Sequence, residues 1–236
     1  MTHDPAVTPV PGGRLSVRLA GDATPPVGSD AAWARACAAN PRLHDGPLLA
    51  VVRAEPGLIV CERSTYRSFV TGLAIGVPVK SLGVSGLLWT RDAGRIEILM
   101  GRRATGVRLY AGLWETAPRG SVRPPPTSGS ADLPPDFLAH ELRQESLEEL
   151  GLVPWGTAPS PIALVHDDHA RSLDAVLAAE IQRDPAPAAA SWEYSHIQWM
   201  PWESPSPITP DTLSPPTRAL FDALRLCRPQ PPWSTG

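Results

Sequence analysis

The feature that most constrains this chain is the stretch Glu141-Leu-Arg-Gln-Glu-Ser-Leu-Glu-Glu-Leu150, closed by Gly151. At about 100° per residue, a helix here places Glu145, Glu148 and Glu149 within one arc of roughly 100°, with Glu141 on the same arc. Glutamates at i, i+4 repel by a few tenths of a kcal/mol per pair. No Lys or Arg of the helix lies three or four residues away on that face to relieve them. An acidic helix face is most often simply solvated. This one is short and sharply bounded. Pro134-Pro135 stand where prolines are tolerated, Asp136 puts negative charge in the first turn, and Gly151 serves as the stop. Four stacked carboxylates on so brief a helix call for positive charge from elsewhere. A hard divalent cation, Mg²⁺ or Mn²⁺, prefers oxygen ligands and meets that need.

The run Glu145-Ser-Leu-Glu148-Glu149-Leu-Gly151-Leu152 resembles the second half of the Nudix box, G-x5-E-x7-R-E-U-x-E-E-x-G-U, where U is a bulky aliphatic residue. Upstream, Gly112-Leu-Trp-Glu-Thr-Ala-Pro118-Arg-Gly120 is similar to the strand and P-x-G turn that precede the box. The chain also departs from the pattern. Gln144 stands at the position of the Arg, and Asp136 at that of the first Glu. Ser146 replaces an aliphatic residue, and Arg119 replaces the first Gly of the usual pair. Fifteen residues separate Gly120 from Asp136 where the pattern has five. Ser121 to Asp132 therefore reads as an inserted Pro/Ser/Gly loop. In the family the box Arg and first Glu brace each other. Gln144 and Asp136 are left with a weaker neutral–charged hydrogen bond.

The resemblance implies an α/β fold, a Nudix-type α/β/α sandwich with a mixed sheet. It implies an N-terminal α+β extension over residues 1–79, a Nudix domain over 80–228 and a Pro-rich tail over 229–236. The implied activity is metal-dependent hydrolysis of the diphosphate linkage in a nucleoside diphosphate-linked compound. Mg²⁺ (or Mn²⁺) would be held by Glu145, Glu148, Glu149 and the backbone carbonyl of Gly120. Glu145 and Glu149 are the candidate general bases within the box. Asp167, Asp168 and Glu193 are alternatives, because some family members use an acid from a later loop. Arg102, Arg103 and Arg119 are candidate phosphate clamps, suited by the bidentate guanidinium. Glu115 is an outer-shell candidate or a simple exposed acid. Trp114, Trp199 and Trp202 are candidates to stack on a base, although aromatics at strand ends more often serve the core. His166 and His169 lack partners at zinc spacing. A shorter N-terminal match, Trp33 with Asn40-Pro-Arg-Leu-His-Asp-Gly-Pro47 and Leu82-Gly-Val-Ser-Gly86, is similar to the UDP-sugar diphosphatase branch and points to a nucleotide sugar.

Two other functions stay open. Gln144, Ser146 and the insertion fit a ligand-binding or sensor module, and a prenyl or other non-nucleoside diphosphate would suit the same acids. Composition narrows the partners. The 236-residue chain has a net charge of −3, which gives no electrostatic case for nucleic acid. Cys37, Cys61 and Cys227 are widely spaced, neither a disulfide framework nor a zinc site, and fit a reducing cytoplasm. Neither a leading apolar signal nor an apolar run of about 20 residues is evident, so no membrane partner is expected. The expected partner is a small-molecule diphosphate; a homodimer is left open.

Overall fold

The structure, a computed structural model, describes residues 4–126, 129–152, 157–183, 192–203 and 209–227. The expected tail at 229–236 lies outside them, as do residues 127 and 128 of the inserted segment.

A mixed sheet dominates. Its strands are β1 (Ala6–Pro9), β2 (Ser16–Asp22), β3 (Pro47–Glu55), β4 (Leu58–Thr65), β5 (Ser81–Asp92), β6 (Arg95–Arg103), β7 (Trp114–Thr116), β8 (Arg119–Ser121), β9 (Ala131–Asp132), β10 (Ser160–Asp167), β11 (Ser172–Glu180) and β12 (Tyr194–Pro201). Among the described residues four α-helices accompany them: α1 (Ser29–Ala39), α2 (Tyr66–Ala74), α3 (Phe137–Leu150) and α4 (Pro215–Cys227). The spatial order is β1-β10-β11-β5-β3-β4-β2-β9, with β6 and β8 also on β5, and β12 and β7 on β6.

β5 is the hub. It runs parallel to β11 from Ser81 to Trp89, takes β8 antiparallel at Gly83–Ser85 and takes β6 antiparallel at Trp89–Asp92. Strands buried on both faces read as continuous apolar runs, and Leu173 to Ala179 is such a run, broken only by Asp174. Its alternate residues divide between two cores. Leu173, Ala175 and Leu177 pack with Leu138 and Leu142 of α3. Val176 and Ala178 pack with Leu220, Phe221 and Leu224 of α4. The period of two along β11 thus builds the helix–sheet–helix layering.

The N-terminal segment is woven into the same sheet. β1 pairs with β10, β3 meets β5 at Ala50 and Ser81, and β2 runs parallel to β4. In the sequence, Val10 to Leu19 reads as a stretch with room for one short strand. β2 supplies it, and β1 adds a second that has only the four residues Ala-Val-Thr-Pro. Its strand state comes from pairing with β10, a contact across the chain that local pattern does not encode. The inserted segment is also more ordered than a plain loop. Val122 and Leu133 are buried, and Ala131-Asp132 pairs with β2, where Arg18 bonds Asp132 at 2.6 Å.

Helix starts differ by a residue or two from expectation. In the sequence Asp30 reads as the N-cap of a helix that stops at Asn40-Pro41; α1 instead opens at Ser29 after Gly28 at φ 89°, and the Ser29 hydroxyl donates to the Pro26 carbonyl. α3 opens at Phe137. Asp136 stands just outside as the N-cap residue, and its side chain makes no cap bond. At the other end Gly151 adopts the left-handed conformation, φ 65°, and its N–H reaches the Leu147 carbonyl, the expected stop.

Candidate active site

α3 lies across β5, β8 and β11. Its apolar side, Leu138, Leu142 and Leu150, is buried, which turns the glutamate face towards the β7–β8 turn. That turn runs through Ala117-Pro118, joined by a cis bond, into Arg119 and Gly120. Gly120 is required by close approach: a Cβ there would lie 2.0 Å from the Glu145 carboxyl carbon and within 2.3 Å of its oxygens. Glu149 is nearly buried and accepts the Arg119 backbone N–H at 3.0 Å. Turn and helix thus place Glu145, Glu149 and Gly120 together.

Glu148 looks elsewhere. Both its carboxylate oxygens accept from the Arg123 guanidinium, at 2.8 and 3.1 Å, while the Arg123 backbone N–H donates to Glu141 at 3.0 Å. The positive charge missing from the helix itself is therefore supplied by the inserted segment. It offsets the charge on the inner acids only in part. Burial first, then Glu148, pushes the Glu145 carboxyl up to about 7, and Arg123 only partly opposes this. Burial pushes Glu149 up to about 8 against the opposing Arg119 N–H, with Glu193, Glu145 and Glu115 adding to the rise.

The donor set is chemically right for a hard divalent cation: three carboxylates, and a glycine with room for nothing but backbone. Among the described residues no three His, Cys, Asp or Glu side chains stand close enough together to hold an ion as they are. Glu148 is engaged by Arg123.

The arginines take different roles. Arg119 is sunk among acids, 2.6 Å from Asp174, 3.6 Å from Glu115 and 3.8 Å from Asp167. Arg103 bridges Glu115 at 3.1 Å and Glu193 at 3.0 Å. Arg102 is exposed, donates to the Gly112 carbonyl at 3.0 Å and does not line the cleft. Gln144 is exposed, and among the described residues no hydrogen bond joins it to Asp136. The helix is held instead through Arg119, whose N–H fixes Glu149 and whose side chain is locked by Asp174.

Glu115 is buried against Arg103, Arg119 and the Tyr194 hydroxyl, and its Oε2 has no hydrogen-bond partner. Asp167 is buried too, accepting from the Tyr110 hydroxyl at 2.6 Å and the Ala170 N–H at 3.0 Å. Asp168 is exposed and pairs with Lys80. Glu193 stands in the cleft and, with Glu145, raises Glu149. Trp202 packs on Phe221, Trp114 stands edge-on to His196, and Trp199 packs against the core around Leu99; none lines the cleft.

The acids open into a cleft of about 610 Å³. Glu145, Glu148, Glu149 and Gly120 line one part. Tyr66, Phe69, Leu48 and His44 of the N-terminal segment line another, with Arg108 and Tyr110. Sequence reading passed over these last residues, and over Asp174 and Arg123. Asp174 did carry a signal, as the one charge inside the apolar run Leu173–Ala179 of β11. Arg123 and Arg108 carried none.

Neither a family model nor a curated protein matches this chain by sequence. Solved structures similar to it include three Nudix or MutT proteins. The MutT protein from Methanosarcina mazei Go1 is 21% identical, over 63% of this chain and 95% of that one, with a TM-score of 0.46. The Nudix domain of Shewanella oneidensis NrtR, solved with ADP ribose, is 17% identical over 66% and 96%, TM-score 0.45. The bifunctional NMN adenylyltransferase/ADP ribose pyrophosphatase from Francisella tularensis, solved with AMP and a Mn ion, is 17% identical over 65% and 44%, TM-score 0.43. At these levels the functional reading rests on the chain's own residues.

Proposed function

We propose that this protein is a Nudix-type hydrolase that cleaves the diphosphate linkage of a nucleoside diphosphate-linked compound, with a nucleotide sugar as one candidate. One observation carries the reading: Glu145 packed on Gly120 beside Glu149, both short of positive charge, at the wall of a cleft of about 610 Å³. Acids in that state await a cation.

Glu145, Glu148, Glu149 and the Gly120 carbonyl would hold Mg²⁺ or Mn²⁺. When bound, it would neutralise the diphosphate and make phosphorus easier to attack. The chain's residues do the rest. Glu145 or Glu149 takes a proton from the attacking water; a base poised near neutral pH suits that task. Of the acids from later loops, Glu193 lines the cleft and is the alternative for this role. Arg103 lines the cleft and positions Glu193. Arg119 holds Glu149 through its backbone. The lobe before residue 80 supplies Tyr66, Phe69 and Leu48 as a wall for the group beyond the diphosphate.

The Arg123–Glu148 pair favours a second reading, a module that binds such a ligand without turning it over. Phosphate release from nucleotide sugars, dinucleotides, nucleoside triphosphates and prenyl diphosphates, with Mg²⁺ or Mn²⁺, separates the two. The hydrolase reading expects metal-dependent turnover of one nucleoside diphosphate class, reduced at least about 100-fold in Glu149→Gln. Ligand binding without turnover across the panel would establish the second reading.

Among the described residues no helix is long and apolar enough to cross a membrane. A cytoplasmic setting, where the free thiols of Cys37 and buried Cys61 stay reduced, is part of the same proposal.

A further inference from the structure

The acids occupy one part of the cleft, and the lobe before residue 80 faces the rest with an aromatic pair. Tyr66 and Phe69 stand one turn apart on α2, and their rings stack at 5.9 Å and 23°. Both line the cleft. Phe69 belongs to a small core with Leu48 and Ala50, whereas Tyr66 packs against that core and keeps part of its surface open.

The pair is fixed in place at two points. The start of α2 is tied down: the Tyr66 N–H donates to the Gly46 carbonyl at 2.7 Å, the Arg67 N–H to the Asp45 carboxylate at 2.9 Å, and the Ser68 N–H to the Thr65 hydroxyl at 3.2 Å. At Phe69 the Arg171 guanidinium lies 4.0 Å over the ring and donates to the Phe69 carbonyl at 2.7 Å. A surface ordered in advance loses little freedom when it meets a flat partner, so more of the contact appears as affinity.

Position along the sheet sets how far this wall lies from the acids. Gly120, against which Glu145 packs, is in register with Val84 of β5. Ala50, in the core with Phe69, is in register with Ser81. Three residues of strand, about 10 Å, separate these points. The cleft floor between them is polar: Gly83 has no side chain, and Ser81, Ser121 and Ser172 bring hydroxyls. Hydroxyls donate and accept, which suits a ribose there and a flat ring at the wall past it. A prenyl chain offers such a floor no hydrogen bond.

We propose that Tyr66, stacked on Phe69, is the nucleobase platform of this cleft, and takes the base of a nucleoside diphosphate whose phosphates lie at the acids. The inference rests on the hydrolase reading for where the phosphates lie, while the stacking itself is a matter of binding. Every base has a π-face, so the platform selects for a nucleoside without selecting strongly among bases.

Two probes with an unbreakable phosphorus bridge test this. One is the α,β-methylene analogue of ADP; the other is methylenediphosphonate, the same bridge without the nucleoside. Affinities are measured by calorimetry on the full chain with Mn²⁺, and again in EDTA. Tyr66→Leu should weaken the ADP analogue about fivefold or more, the scale of one base stacked on one aromatic ring. Tyr66→Phe keeps the ring and should bind it as the unaltered protein does. Methylenediphosphonate should bind alike in all three proteins. The platform is overturned if the ADP analogue binds Tyr66→Leu undiminished, if both probes weaken together, if Tyr66→Phe loses as much as Tyr66→Leu, or if the unaltered protein shows no binding of the ADP analogue in either condition. Turnover of nucleoside diphosphate-linked compounds with Mg²⁺, measured on the same proteins, separates the two claims. A base preference set by Tyr66 without turnover sinks the hydrolase and keeps the platform; turnover indifferent to Tyr66 does the reverse.

Discussion

Arg123 grips Glu148 through both carboxylate oxygens, at 2.8 and 3.1 Å, and its backbone N–H caps Glu141 at 3.0 Å. An arginine from the inserted segment thus stands where a cation would draw on the same acid. The pair is weakly held, because its side chains are 58% and 48% exposed. Such pairs are worth about 1 kcal/mol or less, a factor of about five. Arg123→Ala should therefore tighten Mn²⁺ binding by up to about fivefold, read by calorimetry or by the loss of free Mn²⁺ signal in paramagnetic resonance. Weaker binding in the variant would make Arg123 a supporting element of the site.

Arg119 has a different prediction. Its guanidinium is nearly buried and serves Asp174, Glu115 and Asp167 at once. Removing one partner of such a cluster leaves buried charge uncompensated, at about 3–5 kcal/mol. Arg119→Gln should lower the denaturation midpoint correspondingly. A phosphate clamp would behave otherwise, with stability unchanged and substrate affinity lost.

Metal-free protein should lose stability as pH rises. The Glu145 carboxyl is pushed up to about 7 and Glu149 to about 8, against an ordinary value of 4.5. Both are raised, so the folded state holds protons that the unfolded chain has released. Their contribution is fully present below about 4.5 and is lost as pH climbs through about 7 and about 8. The loss is on the order of 1 kcal/mol or more per group. Thermal melts in EDTA from pH 5 to pH 9 should show it, and Glu149→Gln should flatten the curve. Mg²⁺ affinity should rise over the same window, since the ligands must be deprotonated. A midpoint that rises with pH in EDTA would contradict the arrangement.

Ser146 sits fully buried in α3 with its hydroxyl unpartnered. A buried hydroxyl without a bond costs about 1–3 kcal/mol. Ser146→Ala should stabilise the protein by roughly 1 kcal/mol. No gain would mean that the hydroxyl finds a partner.

Much of this was legible in the sequence. The glutamate spacing on α3, the Gly151 stop and the apolar run of β11 are local patterns, and local patterns survive into the structure. The α/β layering was what the resemblance carried by those glutamates and the turn before them implied. What escaped is what depends on distant pairing. β1 became a strand through β10. Arg119 and Glu115 were read as a clamp and an open choice, yet they form one buried cluster because β8 and β11 flank β5 and bring Asp174 beside them. Arg123 sits in a segment whose composition says only loop. Gln144 and Asp136 looked like a broken brace, and the structure holds Glu149 from outside the helix.

The central claim is that the acidic face of α3 receives a divalent cation once Arg123 lets Glu148 go. A crystal grown with Mn²⁺, with anomalous data collected at the manganese edge, tests it directly. The account predicts an anomalous peak among Glu145, Glu148, Glu149 and the Gly120 carbonyl, with the Arg123 guanidinium turned away. No peak there, with Arg123 still closed on Glu148, would contradict it.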